Sequence, residues 1–349
     1  MEPRRGAPNA TIAHRDGGRS PTLSASGRVR APADVDDMTA ARPSAQPVGL
    51  DRLSAALTRD WPIALGGAEA IAAARAGFAL LPTHCAARCG FEVRCHDSDR
   101  VDGLVMARSG AELQSLTAWI AETQPGSTLS LLASASTDFG WLEIDTDGSA
   151  VTSLGWFTAL PESGPSPLSD LVDSTAAVER VIGALSGAQA LQLGFFPSRH
   201  PRAVRLFAVC DEPSSGMAAL TSVDWPGSKQ AAVDLLDVGG GADVVRLNLD
   251  IVDGELFPTV GWEFSFCGDA QPVIEPRWKA LFARLIDARL ATPERAAALL
   301  AWPTLRPLSR LTGEWLERGI AHVKVSLDPS GRIEAKAYVG GYSMVPADA

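Results

Sequence analysis

Apolar and polar residues alternate without interruption near the end of the chain. From His322 to Leu327, and again from Ile333 to Val339, every second residue is apolar. Successive side chains of a β-strand point to opposite sides, so each segment predicts a strand with one apolar and one polar face. The residues between them, Asp328 to Gly331, have the composition of a tight turn. We therefore predict a hairpin.

The same pattern recurs four times earlier in the chain. The predicted strand pairs are 90–96 with 103–108, 140–145 with 151–158, 190–196 with 203–209, and 244–251 with 259–266. Two of the intervening turns contain Asp-Gly, at Asp147-Gly148 and Asp253-Gly254, which is a strong hairpin signal between apolar runs. Including the last hairpin, the sequence predicts five strand pairs, and repetition of this kind is informative about fold.

Segments with helical spacing separate the strand pairs. The clearest of them has apolar residues at positions i, i+3, i+4, i+7 and i+8, the spacing of one helix face. Its members are Trp278, Leu281, Phe282, Leu285 and Ile286. A further helix is predicted to begin after Thr292, which is suited to cap it, with Pro293 in the first helical position.

These elements predict an α+β fold, an antiparallel ten-stranded barrel built from five ββ pairs with helices outside. Closure would remove the sheet edges, and a barrel of this size has room for a ligand. The alternative is an open antiparallel sheet with helices on one face. Residues 1–47 contain almost no large apolar side chains and are predicted to be a disordered extension, whereas residues 48–349 are predicted to form a single domain.

Composition narrows the possible partners. The formal net charge is -10, and an acidic chain is poorly suited to bind nucleic acid, because phosphate backbones require a basic surface. The chain has no continuous apolar run of the length that crosses a bilayer, so we expect no membrane partner. No apolar segment follows Arg4 and Arg5, and we expect a cytoplasmic protein.

The polar strand faces carry the candidate binding residues. Five of these are cations, namely Arg94, Arg205, Arg246, Lys324 and Lys336. If the barrel closes with its apolar faces under the helices, these side chains converge inside it. Enclosed charges need partners or a charged ligand, and a diphosphate suits Arg and Lys well. Six acidic residues share the same faces, so internal ion pairs are the alternative.

The repeated ββ pairs over residues 78–342, with the motif Lys336-Ala337-Tyr338, resemble the aromatic prenyltransferases of the ABBA type. The resemblance implies a barrel that holds an aromatic acceptor and an allylic diphosphate, with tyrosines that shield the allylic cation. It implies that the five cations bind the diphosphate. It also implies that Tyr338 contacts the substrate by shielding the allylic cation, and that Glu263 assists the acceptor by accepting or orienting a proton. No Asp-Asp-x-x-Asp motif occurs after the N-terminal segment, and we expect neither a metal nor a cofactor.

Two other functions fit the same pattern. The chain contains only two tyrosines, so a tyrosine shield would be thin, and Phe and Trp would have to replace it. A non-catalytic barrel that binds a peptide or a small apolar ligand, as an accessory to natural-product biosynthesis, is the first alternative. An interaction protein with an open sheet, whose polar strand faces contact bulk water, is the second.

Overall fold

The computed structural model describes residues 49–344, except 87, 97, 109, 137–138, 161–174, 186–190, 198–202, 211, 268–269 and 310–312. The extension predicted at residues 1–47 lies outside the described residues. Alternating strands and helices fill the described part of the chain, in the order that the sequence predicts.

Eleven antiparallel strands form one sheet in the described part of the chain. They are β1 (Arg88–Arg94), β2 (Val101–Arg108), β3 (Phe139–Thr146), β4 (Val151–Ala159), β5 (Leu191–Phe195), β6 (Ala203–Cys210), β7 (Val244–Val252), β8 (Glu255–Ser265), β9 (Thr304–Ser309), β10 (Glu314–Leu327) and β11 (Ile333–Met344). Strands β1 to β8 pair in sequence order, and β8 then pairs with β10. The five predicted pairs are all neighbours in this order.

The sheet closes on itself. Strand β10 pairs with β11, and β11 pairs with β1 from Arg88 opposite Tyr342 to Arg94 opposite Lys336. Ten strands therefore form a closed antiparallel barrel with the helices outside it. The predicted barrel is confirmed, and the open sheet is wrong.

Nine α-helices cover the outside of the barrel in the described residues. They are α1 (Leu50–Thr58), α2 (Ala68–Ala79), α3 (Ala111–Thr123), α4 (Thr128–Ser134), α5 (Thr175–Ala184), α6 (Pro213–Ser222), α7 (Lys229–Val238), α8 (Arg277–Asp287) and α9 (Pro293–Ala301), with a short 3₁₀ helix at Ile63–Leu65. None of them combines the length and the apolar character that spanning a bilayer requires.

The two helices predicted most clearly are confirmed. Helix α8 buries Trp278, Leu281, Phe282 and Leu285 on one face. At the start of α9, the hydroxyl of Thr292 accepts a hydrogen bond from the backbone N–H of Arg295, as expected of a capping residue.

The hydrophobic core lies between the helices and the outer face of the barrel. On β10, Val323 and Val325 are fully buried and stand opposite Phe264 and Trp262 of β8. The indole of Trp262 donates a hydrogen bond to the carbonyl of Ala232 in α7, at 3.0 Å. Since the apolar residues of each strand pack under the helices, their polar neighbours face the lumen.

One strand and half of another are not predicted by the sequence pattern. Strand β9 pairs only with β10 among the described strands and contains Pro307, which a strand tolerates at a sheet edge. Strand β10 begins at Glu314, eight residues before the predicted strand. A β-bulge between Ile320 and His322 inserts one extra residue and reverses the alternation, which hides the first half of this strand.

Several strand boundaries also differ from the predicted ones, among them the end of β1 and the start of β8. Strand β1 ends at Arg94, so Cys95 and His96 follow the strand instead of belonging to it. Strand β8 begins at Glu255, four residues before its predicted start. Both corrections lie at the hairpin turns, where side-chain alternation carries little information.

The closing strands approach each other at two glycines. Gly90 of β1 stands opposite Gly340 of β11, and a Cβ atom at Gly90 would lie 2.6 Å from the carbonyl oxygen of Val339. A backbone atom at this distance cannot move aside as a flexible side chain would.

We expect Gly90→Ala to lower the free energy of unfolding by about 1–3 kcal/mol, because the added methyl group overpacks the seam, the contact between β1 and β11 at Gly90 and Gly340. The measurement is urea unfolding followed by circular dichroism. Gly183→Ala, at an exposed position of α5 with no atom near its Cβ, should leave stability unchanged or raise it by up to about 1 kcal/mol. Equal effects of the two substitutions would contradict the tight seam.

Candidate functional site in the barrel lumen

A row of charged side chains crosses five neighbouring strands of the barrel. Arg246 stands opposite Glu263, which stands opposite Lys324; Lys324 in turn stands opposite Lys336, and Lys336 opposite Arg94. Four of the five predicted cations and the predicted carboxylate therefore lie at one height in the lumen. Strand register, which the sequence does not display, brings them together.

At one end of this row, Glu92 connects three of the site residues. The Nζ of Lys336 lies 2.8 Å from its Oε1, a guanidinium nitrogen of Arg94 lies 3.3 Å from the same oxygen, and the hydroxyl of Tyr338 donates a hydrogen bond to its Oε2. Arg94 also donates to Asp102, at 2.6 Å. Burial, reinforced by the charge of Glu92, raises the pKa of Tyr338 well above its usual value, so the phenol stays protonated.

Glu263 lies between His322 and Lys324 at the centre of the row. The distances to its carboxylate oxygens are 3.6 Å from Nε2 of His322 and 3.8 Å from Nζ of Lys324. Burial would raise the pKa of Glu263, but the positive charges of Lys324 and Arg246 and a hydrogen bond from Asn248 hold it below its usual value. Burial lowers the pKa of His322 to about 4, so this imidazole is neutral at neutral pH. The carboxylate stays ionised, as an acceptor of a proton must be.

Lys324 is the most perturbed cation of the row. Burial, together with the charges of Arg205 and Lys336, lowers its pKa to about 7, although Glu263 opposes this shift. Its Nζ lies 2.6 Å from Oδ1 of Asn248, within hydrogen-bonding distance. Near neutral pH this side chain can therefore gain or lose a proton in response to a ligand charge.

Arg205, the remaining predicted cation, lies outside the charged row. It donates two hydrogen bonds to Asp250, at 2.6 and 2.8 Å, and Thr259 donates a third at 2.9 Å. Burial would raise the pKa of Asp250, but these partners lower it to about 2. The guanidinium also lies 5.2 Å from the ring centre of Phe196. Arg205 is thus engaged by an internal carboxylate.

Three phenylalanines form a wall on the opposite side of the lumen. The ring of Phe157 makes edge contacts with Phe196 and Phe207, with centroids 4.7 and 4.8 Å apart. Gly194 faces Phe157 across the β4–β5 pair, and a Cβ there would lie 2.3 Å from the ring. The Nζ of Lys324 lies 5.3 Å from the centre of Phe207, so the wall reaches the charged row.

The sequence pattern alone predicts no role for this wall. Phe207 lies two residues after Arg205 on β6, so both side chains are on the lumen face. This spacing is the one sequence signal that points to Phe207. Phe157 and Phe196 are brought together by the register of β4 against β5, in which Phe157 stands opposite Gly194 and Trp156 opposite Phe195.

A cavity of about 630 Å³ opens at the end of the barrel where the hairpin turns lie. It is lined by Arg94, His96, Ser98, Arg100, Asp145, Thr152, Arg332, Glu334 and Lys336. Arg100 and Arg332 were missed because they lie in turns, where strand alternation does not apply. The cavity joins the Arg94 end of the charged row to the outside.

Helix α9 fixes one side of this cavity. Arg295 is buried, and its guanidinium donates to the carbonyls of Arg94 and Ser98, at 2.9 and 2.5 Å. The backbone N–H of Thr292 donates to the carbonyl of Cys95, at 2.9 Å. These bonds hold the β1–β2 turn, which contributes Ser98 and Arg100 to the lining.

One group of carboxylates in the described residues is close enough to hold a cation. Oxygens of Glu92, Asp102 and Glu143 lie within 4.8 Å of one another, and all three side chains are buried. Arg94 and Lys336 already neutralise Glu92 and Asp102 at short range. The arrangement therefore serves as the carboxylate part of an ion-pair network, and we assign no metal to it.

Comparison with known proteins identifies the fold. No protein-family model matches the chain, and no curated protein matches it either. Among solved structures, the complex of NotF with brevianamide F and DMSPP superposes with a TM-score of 0.51, at 11% sequence identity, over 88% of this chain and 98% of that chain. This barrel has the ABBA prenyltransferase fold.

Two further structures are similar over a smaller part of the chain. A second structure of the NotF prenyltransferase has a TM-score of 0.46 at 11% identity and covers 73% of this chain and 80% of that chain. AnaPT from Neosartorya fischeri has a TM-score of 0.40 at 13% identity and covers 74% of this chain and 78% of that chain. The fold that the sequence resemblance implied is confirmed, whereas the roles of the site residues remain predictions.

The low pKa of Asp250 makes stability depend on pH. In the unfolded chain this carboxyl takes up a proton near its ordinary pKa of 3.8, whereas in the folded protein it does so at about 2. Ionisation of Asp250 beside Arg205 therefore contributes about 2–3 kcal/mol to stability above about pH 4, and this contribution is lost as the pH falls towards 2. We expect Asp250→Asn to lower the free energy of unfolding at neutral pH, and the difference from the unmodified protein to narrow by about 1 kcal/mol at about pH 3.

Urea unfolding between about pH 7 and pH 3 measures this difference. Asp287→Asn, at an exposed position of α8, should keep the acid dependence of the unmodified protein. A difference for Asp250→Asn that stays constant over this range would contradict the ion pair.

Proposed function

We propose that this chain transfers an allylic group from a diphosphate to an aromatic acceptor. The observation that supports it is the set of four cations at one height of an enclosed lumen, on β7, β10, β11 and β1, opposite an aromatic wall. Arg and Lys side chains suit a diphosphate because they form charge-assisted hydrogen bonds with several of its oxygens. The proposal keeps a role in natural-product biosynthesis and the cytoplasmic location predicted from the sequence.

In this proposal the cations bind the leaving group. Arg246, Lys324, Lys336 and Arg94 contact the diphosphate. Arg205 adds its positive charge from outside the row, where it is held by Asp250, four residues along β7 from Arg246. When the bond between the allylic carbon and the diphosphate oxygen breaks, its electron pair goes to that oxygen. The negative charge then develops where the positive charges are already fixed, which lowers the barrier.

The allylic cation would be shielded by aromatic rings. Tyr338 stacks on His322 with ring centroids 4.1 Å apart, and the wall of Phe157, Phe196 and Phe207 supplies the opposite face. Aromatic faces stabilise cations. After the acceptor ring attacks the allylic carbon, it must lose a proton, and the ionised carboxylate of Glu263 accepts or orients that proton.

The structure of NotF was solved with brevianamide F and DMSPP together, which supports a barrel of this fold holding two ligands. By analogy, we propose an allylic diphosphate and an aromatic or peptide acceptor as the partners of this chain. At 11% identity the comparison supports the fold alone. The proposed substrates rest instead on the charged row and the aromatic wall.

We expect Lys336→Ala to weaken the binding of dimethylallyl diphosphate by about tenfold or more, because it removes one cation of the row and leaves Glu92 without its closest cationic partner. Calorimetric titration of dimethylallyl and geranyl diphosphate measures this loss. The control is Lys279→Ala, which removes an exposed lysine from helix α8 outside the barrel. Unchanged affinity in Lys336→Ala, with circular dichroism showing a folded protein, would count against the diphosphate site.

The pKa of Lys324 predicts proton uptake when the diphosphate binds. At about pH 8 this amine is mostly neutral, and a nearby anion favours its charged form, so binding should take up close to one proton. Affinity should accordingly fall as the pH rises from about 7 to 9. Calorimetry in two buffers of different ionisation enthalpy measures the uptake, and Lys324→Met should abolish it. Equal uptake in Lys324→Met would assign the proton to another group.

A second function is favoured by the internal ion pairs. Arg205 is bound by Asp250, Arg94 by Asp102 and Lys336 by Glu92, so the lumen is already neutralised at these positions. A non-catalytic barrel that binds a peptide or a small apolar ligand against the phenylalanine wall is consistent with this arrangement. Saturable binding of such a ligand that does not depend on diphosphate, with no transfer of an allylic group, would favour this function over the first.

A further inference from the structure

Glu334 lies in the cavity at the hairpin end of the barrel and faces its cations. It is the second residue of β11, its side chain is 25% exposed, and it lines the cavity together with Arg94, His96 and Lys336. Its carboxylate oxygens lie 3.4 Å from Nζ of Lys336, 3.6 Å from Nε of Arg94 and 4.0 Å from Nε2 of His96. One carboxylate thus faces three basic groups, and all three contacts are long.

Both cations beside Glu334 have a closer carboxylate elsewhere. Arg94 lies 2.6 Å from Asp102, and Lys336 lies 2.8 Å from Glu92, and both of these acids are fully buried. The longer contacts with the partly exposed Glu334 add little stability by comparison. The fold therefore does not require Glu334 to neutralise this end of the charged row.

We propose that Glu334 occupies the position of an anionic ligand at the barrel mouth and is displaced when a diphosphate binds there. This inference rests on the proposed function for the identity of the ligand. A diphosphate carries more negative charge and more acceptor oxygens than a carboxylate, so it forms stronger charge-assisted hydrogen bonds with Arg94 and Lys336. Arg332, exposed at the rim of the same cavity, adds a further cation.

The arrangement makes Glu334 a determinant of specificity. A ligand with a single carboxylate would replace one carboxylate by another and gain nothing from the exchange. A diphosphate carries more negative charge than the carboxylate that it displaces, so its attraction to the cations is stronger. The site therefore selects a diphosphate in two ways, because its cations attract the ligand and the Glu334 carboxylate repels anions of lower charge.

The test is calorimetric titration of inorganic diphosphate into the full chain and into Glu334→Gln. The glutamine keeps the shape of the side chain and removes its charge, so affinity should rise by about fivefold or more. Glu255→Gln is the matched control, because it removes one charge from an exposed position in another hairpin at the same end of the barrel. Its affinity should stay within about twofold of the unmodified chain, since exposed charges at a distance are screened by salt.

Glu334→Ala provides a second variant, in which affinity should also rise. Affinities of Glu334→Gln and Glu334→Ala that equal those of the unmodified chain and of Glu255→Gln would overturn the inference. Absence of diphosphate binding in every variant, with circular dichroism showing folded proteins, would overturn it as well.

A separate assay of allylic transfer to aromatic acceptors distinguishes this inference from the proposed function. Tighter diphosphate binding in Glu334→Gln without any transfer would support the role of Glu334 and remove the prenyltransferase proposal. Transfer of an allylic group by the unmodified chain, with no change in diphosphate affinity in Glu334→Gln, would support the prenyltransferase proposal and overturn the role of Glu334.

Discussion

Pairing of the first strand with the last is the constraint on which the rest of the structure depends. When β1 joins β11, the apolar faces of ten strands turn outward under the helices, and their polar faces enclose one lumen. Charged side chains in that lumen cannot rely on bulk water, so each needs a counter-charge or a ligand. The seam is narrow enough that Gly90 and Gly340 face each other across it.

The lumen meets this requirement unevenly. Arg205 and Asp250 form a tight bidentate pair, and Arg94 is held by Asp102 at short range. In contrast, Lys324 lies 3.8 Å from Glu263, and burial moves its pKa to about 7. In a buried site, a ligand binds most easily to charged groups that are not tightly paired within the protein. The centre of the row is therefore better suited than Arg205 to bind a ligand and to change its protonation state when the ligand binds.

The lumen also divides into two walls of different chemistry. Strands β7, β8, β10, β11 and β1 carry the charged row, whereas Phe157, Phe196 and Phe207 on the β4–β6 side form an apolar surface. A ligand with an anionic head and an apolar tail matches both walls at once. The mouth, lined by Arg100 and Arg332 in addition to the row, extends the positive surface to the outside.

The sequence by itself determined the strand pairs, the strongest helices and which face of each strand is polar, because alternation and helical spacing are local properties of the chain. It did not determine β9, the first half of β10, or the roles of Glu92, Arg100, Arg332 and the phenylalanine wall. A bulge after Ile320 reversed the local pattern, and turns carry no alternation. Only the tertiary structure decided which polar residues meet, because strand register and barrel closure bring together residues, such as Arg94 and Lys336, that are far apart along the chain.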